Sequence, residues 1–333
     1  MHYATLDPQP FLSRASPMTL PRFADWLDCG VPPGPCRFRL ADDEIVCECG
    51  QRYRATNGIV DLRPVQNVAS NPSKYEDRNF AALFVLRQFG KSLGTTHTHP
   101  RGHSLPRIEF GAEQFYQTLS TLCLRFLDRA SCILDIGCGP GRVAIDMADR
   151  GINRVLGVDI SPHMISYAKM IAETERGAPI AIELYGMDSK SDTVIIQGRG
   201  LDNCEFAVGD AGSLPFKSHT FDMVVCANML HRVQRPLDVV NECARLVRPG
   251  GFVAVSNSYD WDEQFTPKEN WFYDFTAIVP ATQWVLKAEL DGVSYISQMS
   301  IRKYTLAFNH VQVFQFVSAV STHHPPVSKT QTG

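Results

Sequence analysis

The sequence predicts an α/β protein built on a largely parallel sheet with helices on both faces. Three observations carry this reading. Short apolar runs of three to five residues recur from residue 132 onward, the first three of them closed by a glycine or an acid. Between them lie segments with apolar residues at intervals of three or four, the helical spacing. The 333-residue chain is 44% hydrophobic and 20% charged, which supports a large core. Strands covered on both faces read as continuous apolar runs, whereas half-exposed strands alternate.

The elements follow in order. Residues 1–20 read as a flexible arm. Residues 21–66 read as a small module, punctuated by Pro32, Pro33, Gly34 and Pro35, strand-poor until Glu44–Val46, with four cysteines. Residues 67–110 read as a linker with a helix over Asp77–Phe89. The polar stretch Gly94–Ser104 follows, with His97, His99 and His103 in no defined metal spacing. Phe115, Leu119, Leu122 and Phe126 place an amphipathic helix over 112–129. Cys132–Ile136 is a buried strand, Arg142–Asp149 a helix stopped by Gly151, and Val155–Val158 a strand ending at Asp159. Ser161 is an N-cap and Pro162 a first-turn proline for a helix to about Glu175. Phe206–Val208 and Met223–Cys226 are strands, Leu237–Val247 a helix stopped at Pro249, and Phe252–Val255 a strand.

Two stretches exceed a minimal alternation. Ile180–Tyr185 and Thr193–Gln197 read as a hairpin inserted within 177–203. Residues 257–290 are rich in aromatics, among them Tyr259, Trp261, Trp271, Phe272, Tyr273, Phe275 and Trp284, and read as a lid. Val293–Leu306 and Val311–Val320 read as two last strands joined by a turn near Asn309, and 322–333 as a disordered tail.

The net charge of -3 gives nucleic-acid binding no general support, since phosphates demand cations. A small-molecule substrate is the expected partner. No apolar run reaches the roughly 18 residues of a membrane span, and no signal peptide is visible at the start. Ten scattered cysteines form no disulfide framework, which points to the cytoplasm.

The sharpest feature is Ile133-Leu134-Asp135-Ile136-Gly137-Cys138-Gly139-Pro140-Gly141, which leaves a strand and opens a helix. Glycines let a ligand approach the backbone where a Cβ would collide. A dinucleotide reading is open, because Asp159 ends the next strand about twenty residues on, where a carboxylate holds a ribose diol. Two features favour another ligand. Asp135, inside the strand, suits the ammonium of a bound amino acid and offers a nicotinamide enzyme nothing. Asp210-Ala211, after the third core strand, suits an adenine edge.

These residues resemble the class I methyltransferases, particularly the small-molecule enzymes of ubiquinone and menaquinone biosynthesis. The resemblance covers roughly 130–256 at five points. They are Leu134–Gly141, Gly157–Ser161, Gly209–Phe216, Phe221–Cys226 continuing to Leu230-His231, and Leu246–Gly251. It implies a Rossmann-like sheet of seven strands with the last antiparallel, and S-adenosyl-L-methionine as the methyl donor. It further implies that Gly137, Cys138, Gly139 and Gly141 line the methionine part with Asp135 beside it. Asp159 would hold the ribose, Ile160 and Met164 flank the adenine, Asp210 and Ala211 bind its edge, and Asn228 lie beneath the sulfonium.

Methyl transfer is an in-line displacement whose leaving group needs no proton, so alignment supplies much of the rate. His231 is the expected base where the acceptor must lose a proton, with pocket-lining and structural roles left open. Tyr75, Trp271, Phe272, Tyr273 and Phe275 are expected to cover an apolar or flat acceptor. Cys36, Cys47 and Cys49, with Gly50, Tyr53 and Gly58-Ile59-Val60, resemble zinc-ribbon modules of some methyltransferases. Cys29, Cys36, Cys47 and Cys49 are the expected ligands of a structural zinc. The spacing departs from two close pairs, because Pro33 stands where a partner of Cys36 belongs and one residue separates Cys47 from Cys49. A metal-free relic held by apolar packing is therefore favoured. Two other functions stay in view: a ribosomal- or transfer-RNA base methyltransferase, and an inactive donor-fold scaffold.

Overall fold

In the computed structural model, the described residues are 20–29, 37–63, 77–89, 112–185, 191–300 and 303–317. Tyr75, Cys36 and the three histidines of 97–103 lie outside them.

Thirteen strands are present among the described residues, eleven of them in one sheet. The front module supplies β1 (Phe38–Ala41), β2 (Glu44–Cys47), β3 (Arg52–Thr56) and β4 (Ile59–Asp61), an antiparallel meander. Asn57 and Gly58 link β3 to β4 with φ of 54° and 72°, the left-handed pair of a tight hairpin turn. The core strands are β5 (Cys132–Ile136), β6 (Arg154–Asp159), β9 (Cys204–Val208), β10 (Phe221–Ala227), β11 (Val247–Asn257), β12 (Trp284–Ser300) and β13 (Lys303–Phe316). Strands β7 (Pro179–Tyr185) and β8 (Ser191–Gln197) form a separate two-stranded sheet.

The order β9-β6-β5-β10-β11-β13-β12 is a seven-stranded core in which only β13 runs against the rest. The expected count of seven strands is corrected to eleven for the whole sheet. β4 lies parallel to β9, pairing Val60 with Ala207 and Asp61 with Val208, and Leu62 N–H reaches Val208 O at 2.8 Å. The meander thus completes its hydrogen bonds on the sheet edge rather than standing apart. Nothing local in residues 38–61 encodes that distant partner.

Helices α1 (Arg78–Phe89), α2 (Ala112–Leu124), α3 (Arg142–Asp149) and α4 (Pro162–Glu173) bury one face, through residues such as Val85, Phe115, Ile145 and Ile165. The other face takes α5 (Pro236–Leu246), the turn Arg22–Trp26 and the aromatic segment, around Trp26, Phe216, Phe221 and Phe275. Glu205 on β9 accepts from Arg22 N–H at 2.9 Å and Phe23 N–H at 3.2 Å, fastening that turn. Arg154 stands 4.4 Å from the Trp26 ring, a cation–π contact.

A second correction concerns Asn309. It does not mark a turn but pairs with Val293 inside the β12–β13 ladder and is fully buried. Asparagine favours turns through its local hydrogen bonds, but the alternating apolar residues on either side continue the strand past it. Pro249, Gly250 and Gly251 likewise end no element. β11 already starts at Val247 and runs through them.

Candidate functional site

The carboxyl ends of β5, β6 and β9 gather most of the expected donor residues. Gly137, Gly139 and Gly141 all have positive φ (68°, 56° and 85°), a run that L side chains resist. A Cβ at Gly137 would stand 2.5 Å from Met229 Cγ, and one at Gly141 2.7 Å from the Phe206 ring. Gly137 and Cys138 N–H both donate to Val158 O, at 2.8 and 3.1 Å. Cys138 itself is buried, its Sγ 3.4 Å from Gly139 O.

The loop is tied to Asp159. One carboxylate oxygen accepts from Gly139 N–H and the other from Ser161 N–H, each at 2.9 Å. Burial raises the Asp159 pKa, and those backbone donors pull the other way. Ser161 caps α4 through Met164 N–H, and Pro162 opens the helix. Ile160 beside it is 41% exposed, free to meet a ligand. Met164 is buried among core residues, as an ordinary packing methionine is.

Asp135 is 1% exposed and accepts from Ala144 N–H of α3 at 3.2 Å. Burial pushes its pKa up to about 8, helped by the nearby Asp159 charge and opposed by the Ala144 bond. A cation placed beside it would restore the carboxylate. Asp210 is exposed, with Gly212 N–H on its carboxylate at 2.9 Å, and Ala211 is half-buried next to it. Asn228, at φ 53°, donates its N–H to Ser256 O at 3.0 Å and accepts from Ser256 Oγ at 3.2 Å, which anchors it between β10 and β11.

Two residues of this site escaped the sequence reading. Met229 closes the glycine loop at Gly137. Gln88 of α1 places its Nε2 3.2 Å from where a Gly139 Cβ would stand and accepts from Arg142 N–H at 3.3 Å. Arg142 is buried with Asp146, 2.9 Å away, and holds the Gln88 carbonyl. No motif marks Gln88, because α1 reaches the loop only through tertiary packing.

His231 lies in a short turn, Leu230–Arg232, 5% exposed, its ring edge-on to Trp261 at 6.4 Å. Burial, with the Arg232 charge second, drops its pKa to about 3, against the side chain of Asn257. Among the described residues, its Nδ1 has no hydrogen-bond partner. An imidazole of that strength takes up a proton poorly at neutral pH, so the geometry favours a lining or structural role over the base.

The aromatic segment is tightly packed. Trp261 stacks on Trp271 at 6.2 Å, and their indole N–H groups donate to Phe272 O and Thr266 O. Phe272 is buried beside Tyr259 and Trp261, and Phe275 is enclosed by Trp284 and Phe314. Tyr273 is 69% exposed. Trp271 and Tyr273 thus retain surface for a ligand, while Phe275 serves the core.

At the front module, the sulfurs of Cys29, Cys47 and Cys49 lie within 4.8 Å of one another. Cys47 and Cys49 are free thiols and Cys29 is held in a disulfide. Burial pushes the Cys47 thiol up, while its hydrogen bond lowers the exposed Cys49.

Residues 134–255, from β5 through β11, match a family model described as a methyltransferase domain. By that match, this stretch is a methyltransferase domain. A probable methyltransferase of Aspergillus luteorubrus, ltbC, is 26% identical over 183 residues, 53% of this chain and 56% of that protein. An uncharacterized methyltransferase of Schizosaccharomyces pombe is 27% identical over 154 residues, 46% of this chain and 49% of that one. A ubiquinone biosynthesis O-methyltransferase of Dechloromonas aromatica is 34% identical over 126 residues, 37% of this chain and 43% of that one. The chain thus spans about half the length of the curated relatives it matches. The methyltransferase domain covers the donor edge; the front strands and the β12–β13 hairpin lie outside the match. Among the described residues, no helix is long and apolar enough to cross a membrane.

Proposed function

We propose that the protein transfers a methyl group from S-adenosylmethionine to a small, apolar or aromatic metabolite. The observation that carries this is the Asp159 carboxylate bound to Gly139 N–H at the end of β6, beside a glycine loop with three left-handed residues. That geometry holds a ribose diol and a methionine tail side by side. Asp159 takes the hydroxyls, Asp135 the ammonium, Gly137 and Gly139 the tail, and Asp210 with Ala211 the adenine edge. Ile160 covers the adenine, and Asn228 lies under the sulfonium. When bound, the donor supplies an electrophilic methyl; the chain aligns it and excludes water. His231 lines the acceptor side, and Trp271 and Tyr273 border it. The named relative in ubiquinone biosynthesis, an O-methyltransferase, supports a small-molecule acceptor.

Calorimetry tests this directly. Micromolar binding of S-adenosylmethionine with no measurable binding of NAD is expected, followed by transfer of labelled methyl into small molecules of a cell extract. Binding of NAD instead, or label found only in RNA, would overturn it.

The front module fits zinc as a soft-donor set, with Cys29, Cys47 and Cys49 converging and Cys36 the fourth ligand named from the sequence. Zinc binding there requires Cys29 as a thiolate, which suits the reducing cytoplasm. Elemental analysis after reducing purification decides between one zinc per chain, lost in C47S, and the metal-free relic that the spacing favours.

A further inference from the structure

A second line of polar groups lies at the same edge of the sheet, outside the donor residues. Tyr259 Oη is 2.9 Å from His310 Nδ1. His310 Nε2 is 2.7 Å from Glu289 Oε1, which also accepts from Gln312 Nε2 at 2.8 Å. Three elements supply these groups: the segment after β11, then β13, then β12. Phenol, imidazole and carboxylate therefore stand in series, each within hydrogen-bond reach of the next. With Tyr259 donating to Nδ1, the imidazole is neutral and its Nε2–H points to the carboxylate.

The line is anchored to the acceptor side of the donor site. His310 pairs with Asn257 across β11 and β13, and Tyr259 N–H donates to Asn257 Oδ1 at 2.7 Å. Asn257 in turn faces His231. Tyr259 adopts φ 54°, a conformation a bulky residue takes only when its surroundings impose it. Strands lie ~4.8 Å apart, so His310 is about 10 Å across the sheet from the β10 end that carries Asn228. A single aromatic ring spans that gap. Glu289 is half exposed and opens the far end of the line to water.

We propose that Tyr259, relayed through His310 to Glu289, takes the proton of a hydroxyl acceptor as that oxygen is methylated. The inference rests on the methyl-transfer reading and narrows it to O-methylation. The acceptor oxygen forms its bond to the methyl carbon as the carbon–sulfur bond breaks, the electron pair remaining on sulfur. The acceptor proton passes to the Tyr259 oxygen while the Tyr259 proton passes to His310 Nδ1. The imidazolium so formed faces Glu289, with Asp274 near it and Asp291 near Tyr259, all of them acidic. It returns its proton to water through the exposed carboxylate after the product leaves. Tyr259 is the group that touches the acceptor; His310 and Glu289 act through it.

The probe is 4-nitrocatechol, whose ionisation is visible by absorbance, added to the protein saturated with S-adenosylhomocysteine. The wild-type protein is expected to ionise the bound ring at least one pH unit below its free value, and Y259F to abolish that shift. E289Q is expected to move the midpoint back upward. With S-adenosylmethionine, Y259F is expected to lower kcat on the same ring about 10²-fold with KM within threefold, the usual scale for losing a general base. Donor affinity is measured by calorimetry in the same samples. Normal donor binding with no ring ionisation by the wild type, or with equal ionisation and kcat in Y259F, overturns the relay and leaves methyl transfer standing. No donor binding by the wild type sinks the methyl-transfer reading and the relay with it.

Discussion

Replacing Asp135 by Asn isolates the cost of burying an acid under the glycine loop. In the fold its pKa is pushed up to about 8 from 3.8, so the folded protein prefers the neutral carboxyl. The unfolded chain ionises it near pH 4. Between about pH 4 and 8 the fold therefore holds a proton that the unfolded chain releases. Stability from this group is greatest at low pH and is lost as pH rises through that window, then levels off above pH 8. At pH 7 the fold is about three units above the unfolded pKa, which at about 1.4 kcal/mol per unit corresponds to roughly 4 kcal/mol. Asn removes that term. Its carbonyl can still accept from Ala144 N–H, but its NH₂ gains a buried donor without an assigned partner, costing about 1–3 kcal/mol. Net stabilisation of about 1–3 kcal/mol at pH 7 is expected, shrinking to nothing or reversing near pH 5. Urea denaturation of both proteins at pH 5, 7 and 8.5 measures it, the difference between them cancelling other acids such as Glu205. Identical pH slopes for the two would refute the reasoning. The same substitution should weaken S-adenosylmethionine at least tenfold, because on the proposed reading the donor ammonium loses its charged partner.

D159A should weaken the donor about 100-fold by calorimetry, since on the proposed reading it removes a charged acceptor of two ribose hydroxyls, and it also frees Gly139 N–H. G137A should abolish donor binding and lower the thermal midpoint, because its Cβ would meet Met229 at 2.5 Å on a φ of 68°. H231Q should flatten the acid side of the stability profile. The native ring titrates near 3 and the unfolded one near 6.5, so wild-type stability falls as pH drops below about 6.5 toward 3. Urea midpoints between pH 4 and 7 read this, and equal slopes in the two proteins would rule out the buried neutral ring.

The backbone of the proposed donor edge was legible because its signals are local. Asp135, the glycines and Asp159 lie within one β5–β6 unit, where spacing and residue type state the backbone conformation outright. The strand positions from Cys132 to Val255 followed for the same reason, as apolar runs between capped helices. What could not be read depends on partners remote in the chain. Tyr259, Glu289 and His310 carry no common motif, and only the antiparallel return of β13 brings them together. Gln88 reaches Gly139 through helix packing, and the burial that weakens His231 as a base comes with Trp261, thirty residues on, against the opposing pull of Asn257. Asn309 misled because a turn-former was judged without the strand that pairs with it.

The parallel pairing of β4 with β9 has a bearing on how the chain is made. Val60 leaves the ribosome long before Ala207, its neighbour in the sheet. Until β9 is made, the front meander has no edge to close on, and Tyr53, Val60 and Leu62, all buried in the finished protein, lack much of their cover. Such long-range pairing forms late and leaves unpaired strands exposed meanwhile. The front meander is thus translated well before its partner strand and is consolidated only after it. Its dependence on chaperones should rise when translation slows between residues 62 and 208.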